Sequence, residues 1–408
     1  MISRRQFSLA ASSLLGGPTL KANPVSYPYP EFEARIARKD FRGMTKSVLP
    51  TPSMVVDLDL FEQNLQTMAN QAKKTGIALR PHVKVHKSVD VAKRQVALGA
   101  LGVTTATIAE SELMSRAGIK GVLWTKQPGS DNNLIRAVEL SRRDPTFMFV
   151  VDDPRVVERT AEAAAAAKVK CRLAVSVYAG LTRQGIANGQ PAVDLARKVI
   201  ASPHLSFEGW MAYSGGASHT KGFAARKQKS TEDLAGINET LALAKKQGLP
   251  SGIVSGGSTG TYNMDHALGL TELECGSYVF MDTLYKAIGG ATNEGEYTDF
   301  HNALSVLVTV DSKHHPGQVT TDYGNKALAQ LTDQVKGHSW LKVDKQGAEY
   351  GLLRFTDGGS EIKVGDRFEI YCSNLDMSTN CYDRYYVARG EQIVDVWPIM
   401  GRAGAAQR

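Results

Sequence analysis

Thr146–Val177 reads TFMFVVDDPRVVERTAEAAAAAKVKCRLAVSV. A β-branched and aromatic run from Thr146 to Val150 leads into an alanine-rich helical stretch through Ala167, and a second apolar run extends from Cys171 to Val177. Two short strands joined by a helix of about ten to fifteen residues form a parallel pair, because the crossover returns the chain to the same end of the sheet. The unit recurs outward in both directions. Upstream are Met54 to Leu58 before a helical spacing from Leu60 to Lys74, Ile77 to Arg80, Gly102 to Thr105 before a helix from Ala109, and Gly121 to Trp124 before a helix from Asn132. Downstream follow Leu205 to Ala212 and Gly252 to Ser255. So many βα units predict a closed (β/α)8 TIM-type barrel over residues 51–293, with an open doubly wound sheet as the alternative.

After about Glu294 the texture changes. Ala303 to Val310, Gly317 to Thr321, Gly351 to Phe355, Arg367 to Tyr371, Tyr385 to Ala388 and Glu391 to Val396 are short strand-like runs separated by Gly, Asp and Ser. They predict a mostly antiparallel β domain over 294–400, followed by a tail at 401–408. The full 408 residues, 42% hydrophobic, suffice for two such domains.

At the amino terminus, Ser3-Arg4-Arg5-Gln6-Phe7-Ser8-Leu9 precedes a modestly apolar stretch from Ala10 to Leu20 that is too short to span a bilayer. It resembles a bacterial twin-arginine export signal, which predicts removal of residues 1–22, a lead-in over 23–50 and a periplasmic protein. No other segment is long and apolar enough for a membrane span, so no membrane insertion is expected. The formal charge of +7 includes Arg4, Arg5 and Lys21 of that segment. No basic stripe interleaved with aromatics remains, so a nucleic-acid partner is not expected. Cys171, Cys275, Cys372 and Cys381 lack CxxC spacing and imply no zinc ribbon; Cys372 and Cys381 are either reduced thiols or, after export, a pair.

The chemistry-bearing run is Leu79-Arg80-Pro81-His82-Val83-Lys84-Val85-His86-Lys87, at the end of the second predicted strand. Active sites of such barrels lie at the carboxyl ends of the strands, so a lysine there is placed for covalent work. Neighbouring cations and partial burial are expected to depress its pKa and free the amine to attack an aldehyde. The second feature, Val254-Ser255-Gly256-Gly257-Ser258-Thr259-Gly260-Thr261-Tyr262, follows a late strand. Its small residues let backbone N–H groups approach a phosphate, with hydroxyls adding donors, and no GK[ST] follows to make it a Walker loop.

A lysine on an early strand, a Gly/Ser/Thr loop on a late one and a β domain resemble the fold-type III pyridoxal-phosphate enzymes. Within them the chain resembles the D-threonine aldolase and eukaryotic-type D-serine dehydratase family, over roughly Thr51 to Pro398. The shared segments are Thr51-Pro52, the Arg-Pro-His-x-Lys run, Gly180-Leu181-Thr182-Arg183-Gln184-Gly185, Tyr213-Ser214-Gly215, Ser255 to Thr259, Glu274 to Asp282, Asp322 to Ala327 and Asp395-Val396-Trp397-Pro398. The resemblance implies a homodimer that binds pyridoxal 5'-phosphate and acts on a small-molecule amino-acid substrate. Lys84 is then the Schiff-base lysine and Lys87 a decoy. Arg183 lies near the ring's phenolic oxygen, Tyr213 contacts the cofactor, and Gly257, Ser258 and Thr259 hold its phosphate.

Three departures bear on the reaction. The family's His-x-Asp or His-x-Cys metal motif reads here Asn374-Leu375-Asp376, a pair suited to weak binding of a hard ion such as Mn²⁺ or Mg²⁺, or to none. Gly216 stands where the family has a histidine after Tyr-x-Gly, with His219 three residues on, and Tyr178 replaces an acidic residue. The expected activity is a lyase on small D-3-hydroxy amino acids, cleaving by retro-aldol reaction to glycine and an aldehyde. The alternatives are a dehydratase, a racemase or epimerase, and a binding protein without turnover.

Overall fold

The structure, a computed structural model, describes residues 27–327, 334–356 and 359–402. The twin-arginine segment and most of the predicted tail lie outside the described residues. Strand β1 (Ser53–Asp57) is followed by eight parallel strands: β2 (Ala78–Leu79), β3 (Thr104–Thr105), β4 (Leu123–Trp124), β5 (Met148–Val151), β6 (Cys171–Ser176), β7 (Leu205–Ala212), β8 (Ile253–Gly256) and β9 (Glu272–Leu273). They are hydrogen-bonded in the order β2-β9-β8-β7-β6-β5-β4-β3. A parallel bridge between His82 and Thr104, with Thr104 N–H donating to Pro81 O at 2.9 Å, joins β2 to β3 and closes the barrel.

Each βα unit follows from its residues. The helix Pro154–Ala167 starts where Asp153 accepts from the Arg155 N–H, has proline in its first turn, and stops at Lys168 in a left-handed conformation. Val156, Val157, Thr160 and Ala164 form its buried stripe. Strand β5 is buried at all four positions, because one face meets the helices and the other the barrel interior. Inside the barrel Leu123, Met148, Val150, Ala174 and Met211 form a separate apolar plug. That filling leaves only the carboxyl end of the barrel open to chemistry.

The second domain comprises β10 (Leu304–Ser312), β11 (Gln318–Thr321), β12 (Gln334–Val335), β13 (Lys342–Gln346), β14 (Gly351–Arg354), β15 (Arg367–Tyr371), β16 (Arg384–Arg389) and β17 (Gln392–Pro398). It is antiparallel except at one place. Strand β1, expected to open the barrel, lies instead between β10, antiparallel with Ser53 opposite Leu307, and β16, parallel with Val55 opposite Tyr386. The boundary at residue 51 therefore does not separate the domains cleanly: 53–57 belong to the β sheet, and the chain enters the barrel layer through the helix Leu58–Thr75. The barrel's eighth strand is β9, which the sequence reading passed over. Met54, Val55 and Val56 are buried on both faces and would suit either sheet, whereas two residues, one of them Glu272, leave no periodic signal.

Candidate active site

A cavity of about 430 Å³ opens at the carboxyl ends of the barrel strands, between them and the short helix Leu375–Ser378 of the β domain. Lys84 lies on its wall. Pro81 ends the extension of β2, and a single turn of 3-10 helix, Val83–Val85, follows. Val83 and Val85 are buried, which turns Lys84 between them toward the cavity. His82 fixes the turn by accepting the Lys84 N–H at Nδ1, 3.3 Å. Below the turn, Arg80 is held by Glu272 of β9 in a buried bidentate pair at 2.7 and 2.9 Å.

The expected depression of the Lys84 pKa is not found. Burial does act to lower it, but the Asp376 carboxylate, 3.3 Å from Nζ, and the Tyr213 phenol together hold the amine above its ordinary value. The neighbouring cations are local in sequence, whereas the carboxylate that outweighs them lies almost three hundred positions away. Burial, then the charge of Lys84, keeps His82 well below the usual imidazole range. Lys87 is engaged within the protein: Nζ donates to Lys84 O at 2.5 Å, Asp376 O at 2.9 Å and Thr379 Oγ1 at 2.9 Å.

In the same cavity, Gly257, Ser258 and Thr259 line the wall after β8. Gly257 has φ +77°, and a Cβ there would stand 2.7 Å from Leu273 Cδ2, so only glycine fits without displacement. Gly276 and Ser277, which begin the turn after β9, face the same cavity. A Cβ on Gly276 would meet Val85 Cγ2 at 2.8 Å, which ties this second arm to the lysine turn. Thr259 bridges the two arms by accepting the Tyr278 N–H at 3.0 Å.

Arg183 and Tyr213 meet at the cavity, the guanidinium carbon 5.5 Å from the ring centroid. The loop carrying Arg183 is pinned by Gln184 Nε2 to Thr125 O at 3.1 Å and by Gly185 N–H to Asp152 Oδ2 at 2.8 Å. Tyr178, the departure from an acidic residue, is largely exposed.

Asn374 and Asp376 both reach the cavity, but as a poor metal pair. Asn374 Oδ1 accepts the Met377 N–H at 3.1 Å as the cap of its short helix, and Asp376 is shared with Lys84. Among the described residues no three His, Cys, Asp or Glu side chains gather as a metal site. Two part-committed oxygens fall well short of the six or so that a hard cation takes, so these residues do not fit a divalent ion. Among the described residues no disulfide joins the four cysteines, Cys372 and Cys381 included.

Three more site groups, His219 just past Gly216 and Glu274 and Asp282 of the shared segment, carried no assigned role from the sequence. His219 is exposed and lies against Tyr285 with ring centroids 4.2 Å apart and planes tilted by 37°, and its imidazole has no hydrogen bond within the protein among the described residues. Burial, then Lys84, lowers its pKa, with Asp376 opposing. Glu274 lies at the cavity with Ser255 donating to Oε1 at 2.7 Å; burial pushes its carboxyl up to about 7. Burial likewise pushes Asp282 up to about 7 while its Oδ1 caps Tyr285 N–H at 2.8 Å.

The model of the alanine racemase N-terminal domain matches residues 56–284, and that of a putative serine dehydratase domain matches 303–388. A 3-hydroxy-D-aspartate aldolase of Paracoccus denitrificans is 34% identical over 88% of this chain and 94% of its own length. The chain belongs to the D-threonine aldolase and D-serine dehydratase-like family of fold-type III pyridoxal-phosphate enzymes. A D-threo-3-hydroxyaspartate dehydratase of Delftia is 28% identical over 80% of this chain and 89% of its own. The crystal structure of D-threonine aldolase from Filomicrobium marinum superposes with a TM-score of 0.82 at 31% identity, covering 88% of this chain and 96% of that one. Membership makes the protein a pyridoxal-phosphate-dependent lyase, and the residues fit the cofactor: an amine and a two-armed glycine cradle line one cavity.

Proposed function

We propose that this protein cleaves D-3-hydroxy amino acids by a metal-independent retro-aldol reaction, with a preference for an acidic side chain. The observation that carries it is the cavity that joins Lys84, a two-armed glycine cradle, and the two cations Lys126 and Arg183. Among the described residues neither cation has a carboxylate within ion-pair distance, which leaves both to meet substrate carboxylates or the cofactor's phenolic oxygen.

When bound, pyridoxal phosphate supplies an electron sink for the pair left on Cα. Lys84 would hold it covalently, the backbone of Gly257 to Thr259 and of Gly276 to Ser277 would take its phosphate, and Arg183 its phenolic oxygen. His219, open to the cavity and with its pKa lowered by desolvation and the charge of Lys84, is the base for the proton of the substrate's 3-hydroxyl. The Asp376 charge favours the protonated imidazole, and an equivalent proton would be returned to Cα to complete glycine. The divalent ion implied by the resemblance has no part in this reading.

The relatives' names support aldol cleavage and dehydration alike. Incubation with D-threonine and with D-3-hydroxyaspartate decides between them. Release of glycine with acetaldehyde or glyoxylate, unaffected by chelator, is expected, and release of ammonia with 2-oxobutanoate or oxaloacetate would overturn the reading. Lys84→Ala should abolish both turnover and the borohydride-trappable visible absorbance of the wild type. Delivery to the periplasm through Arg4-Arg5 and assembly as a homodimer belong to the same proposal; cell fractionation and gel filtration test them.

A further inference from the structure

Behind the phosphate arm lies a cation that the reaction does not use. Arg226, in the second turn of the helix Phe223–Lys246, is 0% exposed. Its guanidinium donates to four carbonyl oxygens: Gly260 at 2.7 Å, Thr220 at 2.9 Å, Ile288 at 3.1 Å and Gly289 at 2.8 Å. Among the described residues no carboxylate lies within ion-pair distance. Asp299 is engaged by the Tyr262 hydroxyl at 3.1 Å, and Asp265 by the hydroxyls of Ser230 and Thr261. A wholly buried charge with only dipoles around it is costly, and the cost falls when a counter-charge arrives nearby.

The bonds of Arg226 lead to one place. Gly260 follows Thr259 directly, and the Thr259 carbonyl is held in turn by the Tyr297 hydroxyl at 2.6 Å, whose ring lies 5.5 Å from the Arg226 guanidinium. With their carbonyls bound from behind, Thr259 and Gly260 are fixed in orientation, so the arm keeps its shape when no phosphate is present. We propose that Arg226 is the resident cation of the phosphate site, a positioning residue that orients the Ser258–Gly260 backbone and whose charge selects the phosphorylated cofactor over its dephospho form. This rests on the reading of the cavity as a pyridoxal-phosphate site.

The test compares binding of pyridoxal 5'-phosphate and of pyridoxal to cofactor-free protein, with inorganic phosphate as a third probe read by thermal shift. Arg226→Gln keeps hydrogen-bond donors without the charge, and Arg226→Lys keeps the charge with fewer donors. Phe223→Glu sets a carboxylate beside the guanidinium, 5.9 Å from the present ring, without touching its bonds. Loss of a charge in this setting should reduce the preference for the phosphorylated cofactor by about tenfold in Arg226→Gln and in the same direction in Phe223→Glu, with pyridoxal binding little changed. Arg226→Lys should retain most of the preference. An unchanged preference in Arg226→Gln, or an equal loss for both cofactors, overturns the inference; should Arg226→Gln not fold, Phe223→Glu decides by the same criterion. A wild type without any preference for the phosphorylated form would instead sink the cofactor reading itself.

Discussion

Replacing Asp376 with Asn should make the cofactor-free protein react faster with pyridoxal phosphate. The Asp376 carboxylate stands 3.3 Å from Lys84 Nζ, with the two side chains 40% and 35% exposed. At that separation two unit charges attract by about 1 kcal/mol in water and about 5 kcal/mol at an effective dielectric of ~20. Side chains this exposed lie near the lower figure, since solvent screening holds such pairs to about 1 kcal/mol or less. The carboxylate favours the ammonium form, and only the free amine attacks an aldehyde. Losing about 1 kcal/mol therefore enriches the reactive form about fivefold wherever Lys84 is mostly protonated. Stopped-flow absorbance after mixing with the cofactor reads this directly, across the neutral to alkaline range. The variant should be about fivefold faster on the rising limb, and the two proteins should converge where both amines are deprotonated. Added salt should shrink the gap. A rate equal to or below the wild type's at every pH would refute the claim that Asp376 governs the amine.

Three further outcomes are expected. Arg80→Met strands the buried Glu272 carboxylate and should cost about 3–5 kcal/mol in denaturant unfolding; a loss under about 1 kcal/mol would contradict the pairing described. Lys87→Ala should keep the covalent cofactor absorbance that Lys84→Ala loses, yet melt earlier, because three hydrogen bonds to the β domain and the lysine turn disappear. Asp282 has a folded pKa of about 7, raised from 3.8 by burial, so its neutral form belongs to the fold. Its stabilising contribution is complete below its unfolded value and is lost as pH rises toward 7, by up to about 4 kcal/mol. Asp282→Asn, which cannot ionise, should therefore gain stability relative to wild type as pH rises through that window, and a pH-independent difference would count against this.

What could be read in the chain beforehand depended on how local the signal was. Lys84 and Gly257 to Thr259 were legible because each motif adjoins a strand end, and a barrel puts all its strand ends on one face. Strand β1 was legible as a strand but not as a member of the sheet it joins, since burial on both faces carries no label for its neighbours. The raised pKa of Lys84 and the packing of His219 against Tyr285 depend on contacts between segments far apart in sequence. Glu274 and Asp282 were visible as motif members, while their protonation is a matter of burial, which a lone sequence does not report. The metal pair failed for a local reason instead: Asn374 is a good helix cap, and a short helix begins at the next residue.

The turn that carries Lys84 is moored on its far side by Lys87, by the Tyr385 hydroxyl on His86 O at 2.7 Å, and by the Gly401 N–H on Lys87 O at 2.9 Å. The reactive nitrogen is thus suspended between two bodies, and neither owns it. A barrel cut loose from its companion would keep its strands and its glycine arms but forfeit the aim of its nucleophile, so grafting this chemistry elsewhere would require transplanting both halves together with the seam between them.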